Sequence, residues 1–328
     1  MRRCLFYNVR SGRDFMTSTI QPPLLALAWR ASVGDPAKVP GIVRHHRWLE
    51  QNRDLDGDGL LWVLQPDETG LDASPEFDPV WRRRAQGLPL FPLLVRRNRR
   101  LRFDIRAVRD AGGPIVCATI TNVLHGLSRL ALGQPSTTPA LLERLWDERE
   151  GVFRNEAWPP RPGRVPLTWS ALSPLALPDL PEEIGRRLVE EQLLRNDRFW
   201  LPVPPPSVSA REPTFSRRDR FGGLRRYWRG PTWVNAAWLL WTGLVRLGYR
   251  DQADTLAGRL LGAVVREGLR EYYDPFTGTG MGARGFAWSA LALELLEEEP
   301  LLAKLTATSA DEAGVDETGG HGATSMNP

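Results

Sequence analysis

Between Ala253 and Val265 the apolar residues fall at 253, 256/257, 260/261 and 264/265. This 3.6-residue stripe gives a helix one oily face, which is stable only when buried against another element. Ile184, Leu188 and Leu194 make a shorter stripe of the same kind. Helices are also expected near 36–51, 77–99, 114–133, 138–149, 165–175, 231–248 and 285–298, while strand-like alternation is scarce. With 328 residues, 42% of them hydrophobic, the chain can bury a large core in one domain or two. Successive helices joined by loops predict an all-α fold of helical hairpins wound into a toroid.

The connections are long and rich in Pro and Gly. Residues 52–76 and 197–230 are the longest, and Pro202, Pro204, Pro205, Pro206 and Pro213 keep the second from being helical. Long ordered loops in a compact domain usually carry function. Residues 1–16 read as a loose N-terminal segment, 17–300 as the folded domain, and the polar, Gly-rich 301–328 as a disordered tail. A net charge of +4 argues neither for nor against a polyanionic partner. The basic runs Arg82-Arg83-Arg84 and Arg96 to Arg102 read as solvated helix faces, with no nucleic-acid-reading module beside them. Cys4 and Cys117 are the only cysteines, so no structural disulfide is expected. No apolar run approaches a membrane span or a signal peptide. The expectation is a soluble, cytoplasmic protein with no nucleic-acid or membrane partner.

Two stretches carry the chemistry. Tyr227-Trp228-Arg229-Gly230-Pro231-Thr232-Trp233-Val234-Asn235 packs aromatic residues before a helix, in a chain with 13 Trp. Flat aromatic faces stack on the C–H faces of sugar rings, so an indole face open to a pocket is expected here. Glu271, in Arg270-Glu271-Tyr272-Tyr273-Asp274-Pro275, sits between an expected helix end and a Gly-rich turn. It is either an exposed carboxylate at that end or a base that takes a proton from water. A negative charge at a helix C-terminus is unfavourable and asks for another reason to be there. Asp72 lies just ahead of Ser74-Pro75, a plausible N-cap and first helical residue. It either serves the helix dipole or protonates a leaving oxygen. Asp54, Asp56 and Asp58 resemble half of a calcium loop, but Gln65 occupies the twelfth position, where a bidentate Glu is needed. Asp/Gly turns are the simpler reading, and no metal or cofactor is expected. His45 and His46 lack the clustered ligands of a zinc site.

Five segments in order resemble glycoside hydrolase family 63, particularly its small bacterial members acting on mannosylglycerate and glucosylglycerate. They are Thr17 to Pro23, the Asp-Gly turn at 54–59, Glu68 to Asp78, the Pro-rich 201–215, and the paired motifs at 227–235 and 270–288. The resemblance implies an (α/α)6 barrel and an inverting mechanism, with Asp72 as general acid and Glu271 as general base. It implies that Tyr227, Trp228, Gly230 and Trp233 grip the sugar and that Gln21 makes a polar contact to the same ring. The implied substrate is a small α-glucoside or α-mannoside. An oligosaccharide α-glucosidase of the trimming type and a non-catalytic remnant are the alternatives. The chain departs from the pattern at Ala73, where the family usually has Asn. Countable helices also fall short of the twelve a closed barrel needs, so a toroid incomplete on its N-terminal side is expected. Apolar flanks would then show near 24–31 and 285–298.

Overall fold

The computed structural model describes residues 19–81, 91–218, 220–221, 224–225, 227–298 and 300–302. The 1–16 segment with Cys4, the Arg82–Arg84 run and the tail from 303 onward lie outside them. The helices are α1 (Leu25–Ser32), α2 (Pro40–Arg53), α3 (Asp78–Trp81), α4 (Phe91–Arg100), α5 (Ile105–Asp110), α6 (Thr119–Ala131), α7 (Thr138–Leu145), α8 (Glu182–Arg187), α9 (Val234–Arg246) and α10 (Arg250–Glu267). Trp169–Ala176 and Ala287–Leu296 form tighter 3-10 helices in the same series. Nine short strands sit on the connections: β1 (Trp62–Val63), β2 (Ile115–Cys117), β3 (Trp146–Asp147), β4 (Val152–Phe153), β5 (Glu156–Trp158), β6 (Arg220–Phe221), β7 (Leu224–Arg225), β8 (Arg270–Tyr273) and β9 (Gly280–Arg284).

Burial sorts the helices into two rings. Eleven of thirteen residues are buried in each of α6 and α9. A helix apolar all round belongs in an interior. α10 buries only Ala253, Leu256, Ala257, Leu260 and Ala263, a single stripe. Val265, counted with that stripe in the sequence, is 83% exposed. α6 packs on α1, α7 and Trp169–Ala176, and α9 packs on Trp169–Ala176, Ala287–Leu296 and α10. Inward elements thus alternate along the chain with outward α2, α7, α8 and α10, which is the hairpin logic of the (α/α)6 fold. Leu25, Trp288, Leu293 and Leu296 are exposed on the first and last inward elements.

One expected helix starts as a strand. Residues 115–117 open the predicted 114–133 helix as a strand, and the helix begins only at Thr119. Ile115 and Val116 are β-branched and fully buried, and β2 pairs with both β1 and β5. The carboxylates of the Asp-rich turn are satisfied by the protein's own donors. Asp54 accepts the backbone N–H of Asp56, Gly57 and Gly59 at 3.2, 2.7 and 2.9 Å. Arg144 lies 2.8 Å from Asp56 and 2.6 Å from Asp58, and Arg109 lies 3.3 Å from Asp56. Burial would raise the Asp56 carboxyl, but the two guanidinium groups hold it below its usual range. The charge a calcium ion would supply already comes from arginine. No metal-holding cluster of three His, Cys, Asp or Glu occurs among the described residues, and no described helix is long and apolar enough to cross a membrane.

A histidine pair inside the fold sets an acid limit on stability. His46 stacks on His125 at 5.8 Å, both are buried, and neither ring has a hydrogen-bond partner among the described residues. Burial, then His45 and Arg129, lowers His46 to about 4, and burial, then His46 and Arg129, lowers His125 to about 3. Unfolded histidine takes up protons below about pH 6.5, while the folded pair refuses them. Their stabilisation is therefore full above pH 6.5 and is lost as pH falls toward 4. Each histidine should cost about 2 kcal/mol by pH 5. Asp67 and Glu76, both raised by burial, titrate in the opposite sense. The histidine share is read as the difference in urea stability between pH 7.5 and 5, wild type against His125→Leu. The variant should show the smaller acid loss.

Candidate active site

The Asp72 loop is held from three sides. Pro66–Thr69 forms a 3-10 turn, Gly70 reverses it at φ +74, and Ala73 is itself left-handed at φ +62. Asn tolerates that conformation better than Ala, so the departure at 73 is one of backbone strain as well as polarity. Glu68 is fully buried and accepts two hydrogen bonds from the Arg53 guanidinium, at 2.9 and 2.7 Å. It also accepts the N–H of Leu64 at 2.5 Å and of Ile20 at 3.0 Å. That last bond fixes the backbone beside Gln21, which is exposed. Glu76, also buried, accepts from Asn155 at 3.0 Å, Ser170 at 2.8 Å, Ser74 at 3.2 Å and from the Thr168 hydroxyl. Burial pushes its carboxyl up, and these donors offset part of the rise. Asp78 accepts from the buried Arg229 at 2.7 Å, which joins this loop to the 227–235 motif.

Asp72 is exposed at the tip of the loop. Its neighbour Asp67 has no signal in the sequence that singles it out. Asp67 Oδ2 accepts from Gln65 at 2.9 Å, while Oδ1 is buried with no partner among the described residues. Burial, then the charges of Asp72 and Glu68, pushes the Asp67 carboxyl up to about 7. The two aspartates thus share one electrostatic environment.

Glu271 is not at a helix end. α10 stops at Glu267, Gly268 turns the chain, and Glu271 lies on β8, paired with β9. Asp274 shapes the connecting turn by accepting the N–H of Phe276 at 2.8 Å and Thr277 at 3.0 Å, with Arg217 at 3.2 Å. Burial raises the Asp274 carboxyl, but Arg217 and these N–H groups outweigh it and hold it low. Glu271 is 6% exposed; its Oε1 accepts from the Tyr227 hydroxyl and its Oε2 accepts the Ala283 N–H at 3.0 Å. Gly282, at φ +68, leaves room for that grip: a Cβ there would lie 2.5 Å from Glu271 Oε2. Gly282→Ala should therefore displace the carboxylate and, with Glu271 as the base that the resemblance implies, lower turnover about a hundredfold, since small misplacements carry large kinetic costs. Steady-state kinetics beside a thermal melt would separate this from unfolding.

The aromatic motif reaches Glu271, but its indoles are sealed. Trp228 and Trp233 stack face to face at 3.9 Å and 9°, and each is 1% exposed. The open indole face expected at this pair is absent. Trp169 stacks on Trp228 at 5.9 Å, and Tyr227 meets Trp233 edge-on at 4.9 Å. Tyr227 is half-buried and presents the motif's hydroxyl to Glu271. Gly230 is a glycine because its backbone touches another: a Cβ would fall 2.1 Å from the Ser216 carbonyl.

Free space opens on the other side of Trp169. A cavity of about 170 Å³ lies between the inward elements, bounded by Pro22, Leu71, Trp169, Asn235, Trp238 and Trp288. Pro22 and Leu71, the chain neighbours of Gln21 and Asp72, line this cavity, but none of Gln21, Asp72, Tyr227, Trp228, Gly230, Trp233 and Glu271 is among its described lining residues. Sequence reading misses Trp169 and Trp238, because nothing in a single sequence separates a pocket tryptophan from a core one. A larger cavity, about 480 Å³, contains none of the candidates. Its Arg164 and Glu212, and its Arg154 and Glu150, neutralise one another.

The model of the mannosylglycerate hydrolase MGH1-like glycoside hydrolase domain matches residues 12–127 and 128–289. The mannosylglycerate hydrolase of Rubrobacter radiotolerans is 29% identical over 336 residues, covering 84% of this chain and 73% of the relative. The glucosylglycerate hydrolase of Mycolicibacterium hassiacum is 25% identical over 300 residues, covering 77% of this chain and 65% of its own length. The family 63 mannosylglycerate hydrolase of Thermus thermophilus, solved with Tris and D-glycerate, superposes with a TM-score of 0.69 at 27% identity, covering 87% of this chain and 78% of that one. The chain belongs to the MGH1-like glycoside hydrolases of glycoside hydrolase family 63.

Proposed function

We propose that this protein is an inverting α-glycoside hydrolase acting on small α-glucosides or α-mannosides, with Asp72 as general acid and Glu271 as general base. The observation that carries the reading is the Glu271 carboxylate, nearly sealed from solvent and oriented through both oxygens by Tyr227 and Ala283. A base needs a fixed direction and an unshared lone pair toward water, and each oxygen here keeps one. Asp72 gives its proton to the glycosidic oxygen as the C1–O bond breaks. Water adds to C1 from the opposite face, and its proton passes to Glu271. Gln21 contacts the sugar ring from the Ile20–Pro23 wall. Tyr227 bounds the ring on the side of the base, with Trp228, Gly230 and Trp233 packed behind it. As written, the reaction uses two carboxyl groups and no metal.

Names of relatives make glucosylglycerate and mannosylglycerate the first substrates to try. Incubation with both and with a short α-glucan, followed by detection of free sugar, tests the reading. Release from the small glycosides supports it. Release from the glucan alone would favour the trimming alternative, and release from none would favour a non-catalytic remnant.

A further inference from the structure

The charges of the 480 Å³ cavity do not all cancel. Four guanidinium groups and three carboxylates line it, and none of the candidate catalytic or sugar-binding residues does. Arg154 is taken by Glu150 and by the Val165 carbonyl, and Arg164 by the buried Glu212 at 2.9 Å. Glu191 faces Arg187 at 3.5 Å, and the exposed Arg211 stands 3.4 Å from Asp197. Arg198 is half-buried and makes no ion pair among the described residues. Its Nη1 donates to two neutral acceptors, the Glu191 carbonyl at 3.2 Å and the Gln192 amide oxygen. The Gln192 amide is fixed in that direction, because its Nε2 donates to the Glu150 carbonyl at 3.1 Å. The Arg198 backbone is held as well, its carbonyl accepting the Ala210 N–H at 2.9 Å. The Nε and Nη2 edge of this guanidinium therefore keeps its donors for another group.

We infer that this cavity is a binding site for a small organic monoanion, whose carboxylate accepts two hydrogen bonds from the Nε–Nη2 edge of Arg198. A partly desolvated cation without a counter-charge is costly, and a bound anion removes that cost. The planar edge of a guanidinium, with two parallel N–H groups, matches the two oxygens of a carboxylate. One cation in excess fits one negative charge, while Glu150, Glu191 and Glu212 on the same walls repel a second. A volume of about 480 Å³ is that of a small-ligand pocket and leaves room for the body of the acid beyond its carboxylate. The site requires no role for Asp72 or Glu271, so it stands whether or not the hydrolase reading does.

The test is isothermal titration calorimetry at neutral pH and fixed ionic strength, with three probes. Lactate carries one carboxylate, 1,2-propanediol is its uncharged counterpart, and sulfate is a dianion. Lactate should bind saturably at one equivalent, sulfate more weakly, and the diol not at all. Arg198→Gln should weaken lactate about tenfold or more, the loss expected when hydrogen bonds to a charged group are removed. Arg211→Glu alters only an exposed side chain and should weaken lactate by a smaller factor, through repulsion at the cavity wall. It keeps the test decisive if thermal melts show that Arg198→Gln does not fold. Glu271→Gln should bind lactate as the wild type does, which separates this cavity from the candidate active site. No saturable lactate binding, or lactate binding that both arginine substitutions leave unchanged, would overturn the inference. Equal binding of the diol, or tighter binding of sulfate, would contradict the monoanion.

Discussion

Glu271→Gln should leave the protein folded and lower kcat by about a hundred- to ten-thousand-fold, the range a positioned general base contributes. The amide keeps the side chain's shape and can still accept a hydrogen bond from Tyr227. It cannot take a proton from water. Its NH2 group would face the Ala283 N–H, donor against donor, so a small loss of stability, about 1 kcal/mol, is expected as well. The loss of rate should be similar for every substrate, because activation of water does not depend on the leaving group. Steady-state kinetics on two glycosides, with thermal melts of both proteins, checks this. A variant keeping more than a tenth of wild-type kcat would remove Glu271 from the mechanism.

Asp72→Asn should behave differently. The loss should again be about a hundred- to ten-thousand-fold on an alkyl glycoside, whose leaving oxygen needs a proton. On a 2,4-dinitrophenyl glycoside, whose phenolate departs unaided, the loss should shrink to about tenfold or less. This dependence on the leaving group separates an acid from a residue that merely shapes the loop. Equal losses on both substrates would assign Asp72 a structural part, and the buried Asp67 beside it would become the better candidate.

The outer helices are readable because their faces differ: α10 shows its stripe at a period of 3.6. Inner α9, buried all round, is legible from its apolar run and from the motif preceding it. Residues 114–117 mislead because an apolar run carries no period that distinguishes strand from helix. Glu271 stands out through its motif, but its strand does not, since the β8–β9 hairpin depends on Asp274 and Arg217 meeting across 57 residues. The burial of Trp228 and Trp233 is illegible for a related reason. Whether an indole is wall or platform depends on Trp169, which arrives from a distant segment and covers the stack. The buried carboxylates Glu68 and Glu76 carry no local signature, as their partners lie between 2 and 94 positions away.

The central claim, that a base activates water on the face opposite an acid, is tested most directly by proton NMR of the reaction in its first minutes. Hydrolysis of an α-glycoside should release the β-anomer of the sugar first, with the α-anomer appearing only at the rate of mutarotation. An α-anomer as the first product would mean retention through a covalent intermediate and would contradict the roles given to Asp72 and Glu271.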